Sequence, residues 1–335
     1  MTAAAGALLA PTSPTSADRT TLPGGLFRYI LATSWTHQIP LLIITVAVFL
    51  LEVVPLELQR RVVNDAVKHR QYSAVLLLCA AYAGAVILQG SIKLGLNIYR
   101  AWVGERAKRD LRGRICIVSE AGPSAAEARG TAVSMVVAEV EPVGNFIGAA
   151  VSEPLLQAGI LASVITYIIH VDRLMGAAAV ALFVPQMVFV PLMQHAMNRR
   201  TGARVWLLRQ LGAGIIATKR QSTTVDQDDA SRIERVFRIN MIIFELKFTM
   251  NFLMNLCTHA QIIMALLFGG WRVLQGDLEI GGVVAFISGI GRVTDPWGDL
   301  VNYFRDLSVN EVKFKLIAGA MNQARGDGST DLLVA

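Results

Sequence analysis

The chain has 335 residues, a net charge of +6, 53% hydrophobic and 17% charged residues, and a mean hydropathy of +0.49. Soluble domains run near 45–50% apolar and about 25% charged, so both balances point away from a water-soluble protein and toward a membrane one. The basic surplus fits membrane topology, where Lys and Arg collect on one side; no basic, aromatic-interleaved motif is present, which argues against nucleic acid as a partner.

Residues 1–24 are rich in Ala, Pro, Ser and Thr and lack a basic n-region. They read as a disordered leader rather than a signal peptide. Gly25–Leu31 mixes apolar and basic residues and predicts a short interfacial helix. Six apolar segments follow: Ile39–Leu58, Ala74–Leu96, Val143–Ile169, Leu174–Met193, Phe248–Leu274 and, weakest, Ile280–Phe304. Roughly 20 apolar residues span a bilayer core. Short loops join these segments in three pairs, whereas more than forty residues separate the second from the third and more than fifty the fourth from the fifth. Both long stretches are rich in helix formers and predict helices continuing past the membrane by about 30 Å for every 20 residues.

Seven Lys or Arg fall in Arg100–Arg129 and ten in Arg199–Lys247, against Arg173 and Arg272 in two of the short loops. The positive-inside rule then places the long stretches and both termini in the cytoplasm of a multi-pass cell-membrane protein. Arg60, Arg61, Lys68 and Arg70, in the first short loop, run against that assignment. One membrane domain over 25–320 and a flexible tail over 321–335 account for the chain. Cys79, Cys116 and Cys257 share no metal-ligand spacing; Cys79 and Cys257, in apolar runs, read as small buried hydrophobes.

On a continuous sixth helix, Ser288, Arg292, Asp295, Asp299, Asn302 and Asp306 fall within about 80° of arc, opposite Ile290, Val293, Trp297, Val301 and Phe304. A charge facing the bilayer centre costs at least about 2.5 kcal/mol, so the stripe predicts the wall of a watery cavity where Arg292, Asp295 and Asp299 meet substrate. The alternatives are that Arg292 and Asp295 neutralise one another, or that this is a juxtamembrane helix. Glu52 and Glu153, inside other spans, are further candidates for the cavity. Lys93 reads as snorkelling, and His259 and Gln261 as packed between helices.

Three motifs carry a resemblance. Gly276, Leu278 and Gly281 form a turn before the sixth segment, followed by Val284, Ala285, Phe286 and Pro296; Glu279 stands at its polar position, suited to capping the helix. GTAVSMVVAE supplies Gly130, Ser134 and Glu139 in the first long stretch, and GIIATK supplies Gly214, Ile215 and Lys219 in the second. With the helix layout, these resemble the transmembrane domain of ABC exporters, from about Leu26 to Ala320. Glu279, Thr131, Met135, Thr218 and Gln221 depart from the family pattern. The resemblance implies an all-α membrane fold of six spans with long cytoplasmic helical extensions. It also implies a second transmembrane subunit, identical or related. Coupling surfaces at Arg129–Val140 (Arg129, Gly130, Ser134, Glu139) and around Gly214, Ile215 and Thr218–Arg232 (Lys219, Asp226, Asp228) would dock on a nucleotide-binding ATPase. The sequence holds no phosphate-cradling G-x-x-x-x-G-K-[ST] loop, so ATP and magnesium are expected on a separate partner subunit and no cofactor on this chain. The competing readings are an ATP-independent carrier or channel, and a non-transporting membrane adaptor.

Overall fold

The computed structural model describes residues 22–68, 72–121, 139–217 and 227–324. They form helices α1 (Leu26–Leu51), α2 (Val53–Lys68), α3 (Tyr72–Ala121), α4 (Val140–Ala149), α5 (Ser152–Val171), α6 (Arg173–Ala217), α7 (Gln227–Leu274), α8 (Ile280–Gly291) and α9 (Thr294–Ala324), with no strand among the described residues. Among the described residues, five stretches are long and apolar enough to cross a bilayer: Leu26–Val67, Tyr72–Ile117, Ser152–Val171, Arg173–Leu208 and Ala230–Leu274. The chain is therefore an all-α membrane protein. The sixth expected span, Ile280–Phe304, is not among the five; it divides between α8 and α9.

The expected helical continuations are present on both sides of the second long stretch and at the start of the first; at the end of the first, the described helix begins only at Val140. Helices α3, α6 and α7 have 50, 45 and 48 residues, or about 75, 68 and 72 Å of helix, more than twice the roughly 30 Å hydrocarbon core. Of the expected coupling residues, Arg129, Gly130, Ser134, Lys219 and Asp226 lie outside the described residues, as do residues 1–21 and 325–335. Gly214 and Ile215 fall in the last turn of α6, and Asp228 in the first turn of α7. Helix α9 runs through Ala324, into the expected tail. Gly25–Leu31 is not a separate interfacial helix: α1 starts at Leu26 and continues unbroken through Leu51.

Three apolar segments expected as continuous helices are broken, at Glu52, at Ala150–Val151 and at Arg292–Val293. Proline explains all three. Pro55, Pro154 and Pro296 stand four residues after Leu51, Ala150 and Arg292; proline has no N–H to give that carbonyl, and its ring crowds it. Each new helix then carries its proline in the first turn, where it is tolerated. Backbone groups released in an apolar medium need another partner. At Ala150 the buried Tyr303 supplies one, its hydroxyl donating to the Ala150 carbonyl at 2.6 Å. Tyr303→Phe is expected to cost about 1–2 kcal/mol, read as a lower melting temperature in detergent; an unchanged melting temperature would mean that the carbonyl finds another donor.

The chain forms two compact units. The first takes in residues through Val48, Gly90–Leu156 and those from Tyr303 onward. Its core joins Leu26, Tyr29 and Ile30 of α1, Leu111 and Ile115 of α3, Val143 and Ile147 of α4, and Phe314 and Ile317 of α9. Helix α4 approaches α3 through Gly144 and Gly148, a small-x-x-x-small pair that lets backbones come close. Around this seam Tyr29 donates to Asp110 at 2.7 Å, and Lys108, buried, reaches Glu105 at 2.7 Å and Glu141 at 2.6 Å. The hydrogen bond from Lys108 holds the Glu141 carboxyl below the usual carboxylate range.

The second unit takes in Phe49–Gln89 and Gln157–Asn302. Helices α6 and α7 run antiparallel: Gln186 donates to the Met254 carbonyl and Arg204 to the Asn240 side chain, each at 3.4 Å. Asp172 caps α6 by accepting the Met175 N–H at 2.8 Å, and it pairs with Arg272 at 2.9 Å. Of the basic residues at odds with the charge rule, Arg60, Arg61 and Lys68 are on α2, not in a loop; Arg70 lies outside the described residues. Arg60 and Arg61 both pair with Glu57 on α2, at 2.9 and 2.7 Å. Leu77 and Ile87 on α3, and Phe248, Phe252 and Leu267 on α7, stand exposed, as suits helix faces solvated by lipid. Cys79 is exposed on α3 rather than buried, and Cys257 is half-buried.

Candidate functional site

The turn that opens α8 shows how the second unit is locked. Gly276 has φ +83°, a left-handed conformation that favours glycine. Glu279 occupies the N-cap position, but its side chain makes no capping bond. The expected cap comes from α2 instead: Asn64 Oδ1 accepts the Gly281 N–H at 2.8 Å, while Asn64 Nδ2 donates to the Glu279 carboxylate. A Cβ on Gly281 would lie 2.2 Å from the Arg60 carbonyl oxygen and 2.5 Å from Asn64 Oδ1. Glycine is what allows α8 to sit this near α2. The glycine was visible in the sequence; its partner, 217 residues away, was not.

At the far end of α8 the helix stops at Arg292. Its guanidinium ion-pairs with Glu52, and Nη1 also reaches the Glu52 carbonyl at 3.4 Å. Gln89 donates to the same carboxylate. Two helix breaks, one at Glu52 and one at Arg292, are thus bridged to each other. Arg292 is not neutralised by Asp295, the alternative that the sequence left open.

Beyond the break, α9 keeps part of the expected stripe. Asp295, Asp299 and Asn302 line a cavity of about 350 Å³, with Val190 and Gln194 of α6 and Met250, Asn251 and Met254 of α7 completing the wall. Their spacing of four and three residues places the three on one face of α9. Asp299 accepts from Gln157 at 3.2 Å, and Asn302 accepts from Gln194 at 2.7 Å. Asp295 lies in the first turn of its helix, where a carboxylate is favoured by the helix dipole.

The other expected cavity residues lie elsewhere. Ser288 is half-buried on α8 and is not part of the cavity wall. Arg292 and Glu52 are spent on one another. Glu153 belongs to the first unit, paired with Arg100 at 2.5 Å; Arg100 also donates to Ser152 at 2.7 Å. Asp306, the last member of the stripe, pairs with Arg305 at 2.9 Å. Glu139, expected at the coupling surface, pairs with Lys313 at 3.1 Å. Sequence reasoning missed Gln194 and Asn251. Each is a polar residue among apolar ones, and only the α6–α7 pairing brings them to the same wall as α9.

Neither a protein-family model nor a curated protein matches the chain. Sequence and structure together define it as a multi-helix membrane protein whose second unit holds a polar cavity.

Proposed function

We propose that the chain is the permease subunit of an ABC-type transporter, moving its substrate through the α6–α7–α9 cavity by alternating access. ATP and magnesium sit on a separate nucleotide-binding subunit, and a second transmembrane subunit, identical or related, completes the pathway in the cell membrane. The long extensions and both termini then lie in the cytoplasm. The observation that carries this reading is the length of α3, α6 and α7, each some 70 Å of helix. Rigid helices of that reach can pass a domain movement to a membrane gate without local chemistry. Arg129–Val140, and Thr218–Arg232 with Gly214 and Ile215, are the expected contacts with the ATPase.

Reconstitution tests it. The tagged chain purified from its own membrane is expected to bring down a P-loop ATPase, whose ATP hydrolysis in liposomes rises several-fold when the two are combined. Hydrolysis indifferent to the chain would overturn the proposal. Asp295 and Asp299, two carboxylates on a cavity wall, favour one competitor, a carrier driven by a cation gradient. Uptake into liposomes on a gradient alone, without ATP, would decide for it.

A further inference from the structure

We propose that the α1–α3 seam carries a binding site for the headgroup of an anionic phospholipid. This goes beyond the transporter reading and does not depend on it. The site is built from His37 of α1 and from Tyr99, Trp102, Arg106 and Arg109 of α3, all within the first unit. A spacing of three, four and three residues puts the latter four on one face of α3. Tyr99 and Trp102 stack with ring centroids 5.9 Å apart. His37 stands edge-on to Trp102 at 5.0 Å, and the Arg106 guanidinium lies 5.6 Å from the centre of the Trp102 ring. Arg109 is exposed and the other four are half-buried, so the cluster is reachable from outside.

Its hydrogen bonds leave donors facing outward. A guanidinium can only donate, so His37 Nε2 accepts from Arg106 at 2.8 Å. In the neutral ring the proton then sits on Nδ1 and is given to the Tyr99 hydroxyl oxygen at 2.9 Å. The Tyr99 O–H and the remaining N–H groups of Arg106 are left to donate elsewhere. The carboxylates on this part of α3 are engaged, Glu105 with Lys108 at 2.7 Å and Asp110 with Arg114 at 2.8 Å, and neither Arg106 nor Arg109 has a carboxylate partner among the described residues. A phosphate group, negative and made of acceptors, complements this set, and arginine matches its geometry bidentately.

Depth identifies the source of that phosphate. The apolar run Ala74–Leu96 is about 35 Å of helix, enough for a hydrocarbon core of roughly 30 Å. Tyr99 and Trp102 follow within two turns, at the level where such rings collect. Arg106 and Arg109 stand about 6 and 10 Å further along the axis, in the headgroup layer, where basic groups attract anionic lipid. A zwitterionic headgroup brings its own cation, which two guanidinium groups oppose.

Melting of the purified chain in detergent micelles doped with phosphatidylglycerol or phosphatidylcholine tests this. Phosphatidylglycerol is expected to raise the melting temperature saturably by several degrees, and phosphatidylcholine or inorganic phosphate at the same concentration to leave it unchanged. Arg106→Gln/Arg109→Gln is expected to need roughly tenfold more phosphatidylglycerol for half the shift, and Arg109→Gln alone, a change at an exposed side chain, about threefold more. Arg173→Gln, the same loss of charge at the start of α6, is expected to respond as wild type. Equal shifts from the two lipids, a full shift from inorganic phosphate, no shift from phosphatidylglycerol, or a wild-type response by Arg109→Gln overturns the inference. Should the double variant fail to fold, the lipid comparison and the single variant decide.

Discussion

Replacing Gly148 with alanine is expected to destabilise the first unit by about 3 kcal/mol, a loss of several degrees or more in melting temperature from one methyl group. The added Cβ would lie 2.2 Å from the Arg100 carbonyl oxygen and 3.1 Å from the Gly104 nitrogen. Both neighbours are backbone, so no side chain can rotate aside. The seam has no slack nearby either, since a Cβ on Gly104 would lie 2.9 Å from the Gly144 carbonyl oxygen. Helix α4 must therefore retreat from α3 along its length. That retreat loosens the 2.6 Å contact of Lys108 with Glu141 and the 2.7 Å bond of Arg100 to Ser152. Gly95→Ala on α3 serves as the control: nothing lies within 4 Å of its added methyl, and alanine in a helix is favoured over glycine by roughly 0.5–1 kcal/mol. If Gly148→Ala melts at or above wild type while Gly95→Ala behaves as stated, the close approach of the two helices is wrong.

The second large effect is expected at the bridge between the helix breaks. Arg292→Ala leaves Glu52, 14% exposed, with Gln89 as its remaining described side-chain donor. Breaking a buried pair costs 3–5 kcal/mol because a charge is stranded. The Arg292 side chain is 28% exposed, which lowers the expectation to about 2–3 kcal/mol. Glu52→Ala strands the opposite charge with a similar result. Removing both charges with apolar residues of like volume is expected to recover most of the loss, since a buried pair gains little over well-packed apolar groups. The double variant Glu52→Met/Arg292→Met should therefore melt closer to wild type than either alanine variant. Single losses that simply add in the double variant would show that the two side chains act independently.

Helix content, the five apolar stretches and the long continuations of α3, α6 and α7 were legible because hydropathy and helix propensity are local. The helix breaks were legible only in part. Pro55, Pro154 and Pro296 end their helices four residues upstream, yet Pro40, Pro185 and Pro191 sit inside α1 and α6 without ending them. The difference lies in the surroundings. Glu52, Glu153 and Asp295 stand within three residues of the breaking prolines; Tyr303 reaches the carbonyl that Pro154 frees at Ala150, and Arg292 reaches the Glu52 carbonyl, next to the one that Pro55 frees. The charge stripe on the sixth segment assumed an unbroken helix, so it placed Arg292 with Asp295 instead of with Glu52, 240 residues earlier. Asp295, Asp299 and Asn302 survived as a group because they share α9, downstream of the break. Their facing partners, Gln194 and Asn251, come from other helices, and no local pattern announces such a meeting.

The bond between Gly281 and Asn64 joins residues 217 apart in the chain. At 5–20 residues per second, a ribosome needs on the order of ten to forty seconds to travel that distance. For that interval the newly made α2 is without this partner, and the second unit can close only when its last members have been synthesised. A chain cut short before residue 281 would therefore lack the contact that joins α2 to α8.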